Sequence, residues 1–303
     1  MNRKKIFVSG GAGVIGTALV NTLIQMDADV FVGDLKPEPA AWKNVLHYRQ
    51  GDLITLTSQE IAAFEPEVYF HLAATFERST ETYDFLEDNF HHNIALSHHL
   101  LKLLKDMKSL KKIIFASSYL IYDPALYLNK DAAPLKEDAP ISPRNICGMA
   151  KLLHERELLF LKLFRPEIQV VNARIFRSYG KNSRDIISRW IQALLKKENI
   201  SVYCPEGKFD FVYAEDVAKA LINLSKTGFN GVVNVGSGRE RSINEVLDVL
   251  KTHFGNISFN HENTNIPREN SQADMTLFHS LVNQTFLPIE ETIPEMIAAS
   301  KKR

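Results

Sequence analysis

Residues 4–16 read KKIFVSGGAGVIG. The first six form a short apolar run, the pattern of a strand covered on both faces. Glycines at 10, 13 and 16 follow it, and Thr17 to Met26 then continue with apolar positions at helical spacing. Strand, tight turn and helix are the expected order. Glycine lets a backbone approach a ligand closely, and the helix start beyond the turn offers unpaired N–H groups and its dipole to a pyrophosphate. The spacing alone says little; its place between a strand and a helix gives it meaning.

Ala28 to Gly33 reads as a second buried strand that ends at Asp34 and closes one βαβ unit. A carboxylate at that point accepts both ribose hydroxyls of NAD and repels the 2′-phosphate of NADP. NAD is therefore the expected cofactor, held by Gly10, Gly13, Val14, Ile15, Gly16 and Asp34. The plainer alternative is a turn that merely packs helix on strand, with Asp34 a solvated strand cap. Apolar runs at 68–72, 112–117 and 168–175 alternate with helical stretches near 58–63, 85–107 and 148–163. That alternation predicts an α/β fold, a Rossmann-type doubly wound parallel sheet over residues 1–175. Beyond about residue 180, helices at 185–197, 215–225 and 242–253 mix with short strands near 200–204, 210–213 and 232–235. This reads as a smaller C-terminal lobe, 176–303, with chain returns to the main sheet.

Lys and Arg number 36 and so do Asp and Glu, which leaves no basic surplus to suggest nucleic acid. Cys147 and Cys204 form no CxxC pair, so neither a disulfide framework nor a cysteine zinc site is expected, and a reducing, cytoplasmic compartment fits. The apolar run after Lys5 enters a glycine turn instead of a signal cleavage site, and no stretch approaches the roughly 18 apolar residues of a membrane span.

The loop GGAGVIG, Asp34, Gly51-Asp52-Leu53, His71-Leu72-Ala73-Ala74 and Ser117-Ser118-Tyr119-Leu120-Ile121-Tyr122 precede Arg174-Ile175-Phe176, Tyr179-Gly180, Asp210 to Ala218 and Asn234 to Gly238. In this order and spacing the series resembles the extended short-chain dehydrogenase/reductases, in their sugar-nucleotide epimerase and dehydratase group, over nearly the whole chain. The resemblance implies that Asp52 and Leu53 contact adenine and that His71, Leu72, Ala73 and Ala74 line the cofactor cleft. It implies a sugar nucleotide held by residues 174–238, with Arg174, Arg177, Tyr179 and Arg184 as candidates; an exposed surface arginine explains Arg184 equally well. It also implies a homodimer built on the 85–107 helix and the helix after Cys147.

In that family a Ser or Thr, a Tyr, and a Lys four residues after the Tyr carry the chemistry. The ammonium lowers the phenol pKa, and phenolate takes a sugar hydroxyl proton as hydride leaves for NAD. Ser118 and Lys151 match, with Lys151 also expected to hold the nicotinamide ribose of the cofactor, but the Tyr position is Cys147. A thiol has a suitable intrinsic pKa of about 8.5, yet it is shorter than a phenol by a ring. Three readings stay open: Cys147 acts through a bridging water, Tyr119, Tyr122 or His71 supplies the proton function, or the role is absent. Tyr119 is the favoured substitute because it follows Ser118; an aromatic wall of the sugar pocket is its competing role. Tyr119 and Leu120 stand where the family's 4,6-dehydratases carry Asp and Glu, which argues against dehydration. Arg177 replaces a usual Asn and Phe209 a usual Arg, an exchange of charge between nearby elements that would preserve a diphosphate site.

His91, His92, His98 and His99 share one expected helix, where helix rise separates His91 from His98 by about 10 Å, too far to share an ion. No metal site is expected. The reading is an NAD-dependent sugar-nucleotide epimerase, dehydrogenase or ketoreductase acting by hydride transfer at a sugar carbon, C4 first. Its rivals are a catalytically silent binder of NAD and sugar nucleotide, and a reductase of a non-sugar carbonyl compound.

Overall fold

A computed structural model describes residues 3–76, 81–204, 206–262 and 268–301. In chain order come β1 (Lys5–Ser9), α1 (Val14–Gln25), β2 (Asp29–Asp34), β3 (His47–Gln50), α2 (Ser58–Phe64), β4 (Val68–His71), α3 (Tyr83–Asn89), a π-helical stretch (Phe90–Ala95), α4 (Leu96–Leu104), β5 (Lys112–Ser118), α5 (Ile146–Phe164), β6 (Gln169–Ile175) and β7 (Arg177–Tyr179). They are followed by α6 (Ile186–Leu195), β8 (Ile200–Tyr203), β9 (Lys208–Tyr213), α7 (Ala214–Lys226), β10 (Gly231–Val235), β11 (Glu240–Ser242), α8 (Ile243–Phe254), β12 (Phe259–Glu262), β13 (Asn270–Ser271), α9 (Thr276–Leu281) and α10 (Ile289–Lys301).

Seven strands form one sheet in the order β10-β6-β5-β4-β1-β2-β3, every neighbouring pair parallel. Phe7, Val8, Phe70, Ile114 and Val171 are fully buried within it. Helices on both faces leave these strands no solvent side, which is why they read as continuous apolar runs. On one face α1 and α7 pack Leu19, Val20, Leu23, Val217 and Leu221 into the core. On the other, α2, α4 and α5 contribute Ile61, Leu100, Leu104, Leu158 and Leu161. Strand order reverses between β1 and β4, and ligands of such sheets bind outside the strands' carboxyl ends at that point.

The chain returns are substantial: α7 covers the main sheet, β10 is its edge strand, and Phe278 of α9 joins the same core. A separate core of Tyr179, Trp190, Phe211, Tyr213, Val246 and Ile293 holds the smaller lobe, where β9 pairs with β7, β11 and β13. The stretch expected as one helix over 85–107 is broken by its π-helical segment.

Candidate active site

The glycine turn is built by steric necessity. Gly10 has φ +78°, and a Cβ there would fall 2.5 Å from the Ala73 nitrogen; at Gly16 it would fall 2.2 Å from the Gly10 carbonyl oxygen. Side chains at either position would push β1, β4 and the start of α1 apart. Gly13 begins α1 with no side-chain cap on the first turn, so the backbone there is presented to a ligand. Asp34 is fixed to this turn: Oδ2 accepts from the Ala12 N–H at 2.8 Å, and Oδ1 from the Lys36 N–H at 2.9 Å. Gly10, Gly13, Val14, Asp34, Asp52, Leu53, Leu72, Ala73 and Ala74 line one cleft of about 700 Å³, together with Thr75, His92 and Arg184. Ile15, partly buried against the core, and Gly16, buried, do not line this cleft.

Ser118 ends β5 at the carboxyl edge of the sheet and accepts from the Leu120 N–H at 3.2 Å, capping the short turn that follows. Across from it Asn145 caps α5, accepting from the Gly148 N–H at 2.8 Å. That start sets Cys147 and Lys151 one helical turn apart on the same face. Cys147 is buried, and its Sγ lies 3.8 Å from the carbonyl oxygen of the cleft residue Thr75. Lys151 donates from Nζ to the Ala116 carbonyl oxygen at 2.7 Å and sits 4.8 Å from the Phe115 ring centre. Burial pulls its pKa down to about 8, against the opposing influence of Cys147 and Glu155.

The three proposed substitutes for the missing phenol are committed elsewhere. Tyr119 donates its hydroxyl to Glu269 Oε1 at 2.7 Å and stacks on Phe176. Burial raises its pKa to about 12. A phenol already donating to a carboxylate is a poor proton acceptor, which weighs against the acid/base role expected of Tyr119 and towards its competing role as an aromatic wall packed on Phe176. Tyr122 is fully buried, donates to Asn234 Oδ1 at 2.7 Å, and is likewise raised by burial to about 12. His71 is enclosed between the hydroxyls of Ser9, 2.8 Å from Nδ1, and Ser97, 2.7 Å from Nε2, and desolvation holds its pKa well below the usual range. Cys147 is left as the candidate beside the cleft.

Two of the expected substrate residues, Arg174 and Tyr179, are engaged inside the protein. Arg174 is 2% exposed, grips Glu155 through Nε at 3.1 Å and Nη2 at 2.9 Å, and lies over the Tyr122 ring. Tyr179 shares a 2.5 Å hydrogen bond with Thr292 inside the lobe core. Both are buried with their polar atoms already partnered. Arg177 fares differently: its guanidinium lies 4.0 Å over the Phe209 ring, so the two positions that exchange charge are in contact. It and Arg144 share Glu269, at 3.3 and 2.9 Å. Two guanidiniums on one carboxylate leave an excess positive charge near the carboxyl ends of β5 and β6.

Asn93 escaped the sequence reading. Its Oδ1 accepts from the Thr75 N–H at 2.7 Å and its Nδ2 donates to the Thr75 carbonyl at 2.9 Å, pinning the chain as it leaves β4. An amide amid a leucine-rich helix was the available signal, since a buried Asn must find partners. Arg144 and Glu269 were missed too, and nothing local in the sequence marks them.

The family model described as the NAD dependent epimerase/dehydratase family matches residues 6–236. A Methanocaldococcus jannaschii protein named "Putative UDP-glucose 4-epimerase" is 30% identical over 266 residues, 82% of each chain. Among solved structures, MoeE5 in complex with UDP-glucose and NAD superposes with a TM-score of 0.87 at 25% identity, over 98% of this chain and 99% of that one. The UDP-N-acetylglucosamine 4-epimerase from Methanobrevibacter ruminantium, in complex with UDP-N-acetylmuramic acid, gives 0.86 at 26% identity, over 100% and 99%.

Proposed function

The chain belongs to the NAD-dependent epimerase/dehydratase family, and from that membership we propose a cytoplasmic enzyme that binds NAD and oxidises or reduces a sugar-nucleotide carbon, C4 first. Epimerase, dehydrogenase and ketoreductase are the reactions open to it. The observation that carries the reading is the placement of Cys147 and Lys151 on one face of α5, with Sγ at 3.8 Å from a carbonyl that belongs to the NAD-type cleft.

The cleft fits the cofactor: Gly10 and Gly13 line it with backbone bare of side chains, and Asp34 stands on its wall where the ribose hydroxyls of NAD are accepted. NAD, when bound, supplies the hydride acceptor and donor. The remaining work falls to the chain. Ser118 hydrogen-bonds the reacting sugar oxygen. Lys151, near its own titration point, favours the thiolate of Cys147. Cys147 exchanges the proton through a bridging water, because a thiol stops a ring short of where a phenol would reach. Arg177, with Arg144 behind it, attracts the diphosphate of the sugar nucleotide, and Arg184 reaches it from the cleft wall. The Asp-Glu pair of the 4,6-dehydratases has no counterpart at Tyr119 and Leu120, so that dehydration is not among the proposed reactions.

The second reading, a catalytically silent binder, draws its support from Cys147 itself. Both meet the same test. The purified protein is analysed for bound cofactor by absorbance and mass, then incubated with UDP-, GDP-, dTDP- and CDP-sugars while NADH absorbance and product sugars are followed. A redox change or a new sugar supports the enzyme; bound cofactor with every sugar unchanged supports the silent binder.

Along α5, Met149, Leu153, Phe160 and Phe164 form an exposed apolar stripe separate from the buried face, and Tyr83 and Phe90 are exposed as well. Such a patch fits a two-fold contact with a second copy of the chain. Among the described residues no helix is long and apolar enough to cross a membrane.

A further inference from the structure

Asp52, His91 and His92 meet at the cofactor cleft, and nothing in the chemistry above uses the two histidines. One ligand atom from each lies within 4.8 Å of the other two. Asp52 Oδ1 accepts from the Ile54 N–H at 3.0 Å, which orients the carboxylate, and Oδ2 lies 2.5 Å from His91 Nε2. The rings of His91 and His92 stand edge to face, 4.6 Å between centres. These residues are consecutive in sequence, and they fall in the π-helical stretch Phe90–Ala95, whose wider turn rotates the chain less per residue than an α-helix does. The helix-rise argument that separates His91 from His98 does not touch this group, because its third member comes from the turn after β3.

Two imidazoles and one oriented carboxylate are a donor set for zinc-class divalent ions, with coordination positions left for water. Asp52 and His92 both line the cofactor cleft, as does Asp88 one turn before His92, which adds negative charge. We propose that Asp52, His91 and His92 form a divalent transition-metal site whose occupation opposes NAD binding. An ion there draws Asp52 Oδ2 and His92 into its own shell and sets a hydrated charge in the cofactor's path. By linkage NAD weakens the ion to the same degree. The inference needs NAD binding alone and does not depend on the sugar-nucleotide reading.

The test uses the full chain without an affinity tag, stripped of metal and cofactor. Co²⁺ is titrated by its visible absorption and Zn²⁺ by calorimetry, and NAD is then titrated with and without saturating Zn²⁺. The expected result is one ion per chain and an NAD Kd raised about tenfold by Zn²⁺. His91→Ala should abolish both effects while still binding NAD, which also shows that the variant is folded; His91→Gln serves if it is not. Ion binding that survives both substitutions, binding only at millimolar metal, or an NAD affinity indifferent to Zn²⁺ in the unsubstituted protein would each overturn the proposal.

Discussion

Lys151 reaches from α5 to the carbonyl oxygen of Ala116 on β5, 2.7 Å away, beside the ring of Phe115. Burial lowers its pKa from 10.5 to about 8, so at neutral pH the fold carries an ammonium that it partly desolvates. Below about pH 8 the folded and unfolded chains both hold the proton, and the cost is constant. Between about 8 and 10.5 only the unfolded chain binds it, so stability rises with pH across that window. Lys151→Met removes the cost. Thermal melts should show the variant more stable than the parent near neutral pH, with the gap closing as pH passes from about 8 towards 10.5. The same change should lower turnover by about 100-fold or more. A variant that melts lower at neutral pH and turns over normally would make the amine a tether between helix and sheet and nothing else.

Cys147 is the second group on that helix face. Cys147→Ala should cut turnover by about 100-fold to 10,000-fold, the usual worth of a positioned acid/base, and leave the NAD dissociation constant unchanged. Steady-state kinetics and a cofactor titration on one preparation separate the two. Wild-type rates in Cys147→Ala would move the proton function off α5 altogether.

How far the sequence could be read depends on the range of the interaction. The turn from β1 into α1 was legible because glycine sterics and strand burial act within a dozen residues, and Asp34 closes onto that turn from the neighbouring strand. β3, HYRQ, was not legible: at the sheet edge it carries no apolar run. The π-helical break at Phe90–Ala95 hides in a sequence with ordinary helical spacing. The contact of Tyr119 was not legible because its partner Glu269 lies 150 residues further on, nor that of Arg174 because Glu155 reaches it from another element. A motif fixes a residue's address, while burial and partners decide whether its polar atoms are left for a ligand.

The cluster around Glu269 yields a paired prediction. Its carboxylate accepts from Tyr119, Ser271, Arg144 and Arg177, and although burial pushes its pKa up, the two guanidiniums outweigh that and hold it low. Glu269→Ala leaves both guanidiniums without their counter-charge and should cost about 3 kcal/mol in denaturant unfolding. Tyr119→Phe removes one donor of four and should cost about 1 kcal/mol, with turnover kept within a few-fold. A large activity loss in Tyr119→Phe at full stability would restore Tyr119 as the acid/base.

The exposed stripe on α5 makes a prediction about assembly. Met149, Leu153, Phe160 and Phe164 recur at intervals of four and seven, while Cys147, Ala150, His154, Leu158 and Leu161 form a separate, buried face. A helix with two apolar faces needs two neighbours, and the fold supplies one. Phe160 and Phe164 pack on each other, 5.2 Å between ring centres, yet are 61% and 68% exposed. Replacing both by Glu should convert a dimer into a soluble monomer in sedimentation equilibrium, with the far-ultraviolet circular dichroism unchanged, because neither ring enters the protomer's core. The face of α5 that carries Cys147 is turned inward, away from both rings, so NAD binding should survive. A parent chain that already sediments as a monomer would mean that the stripe serves some other partner.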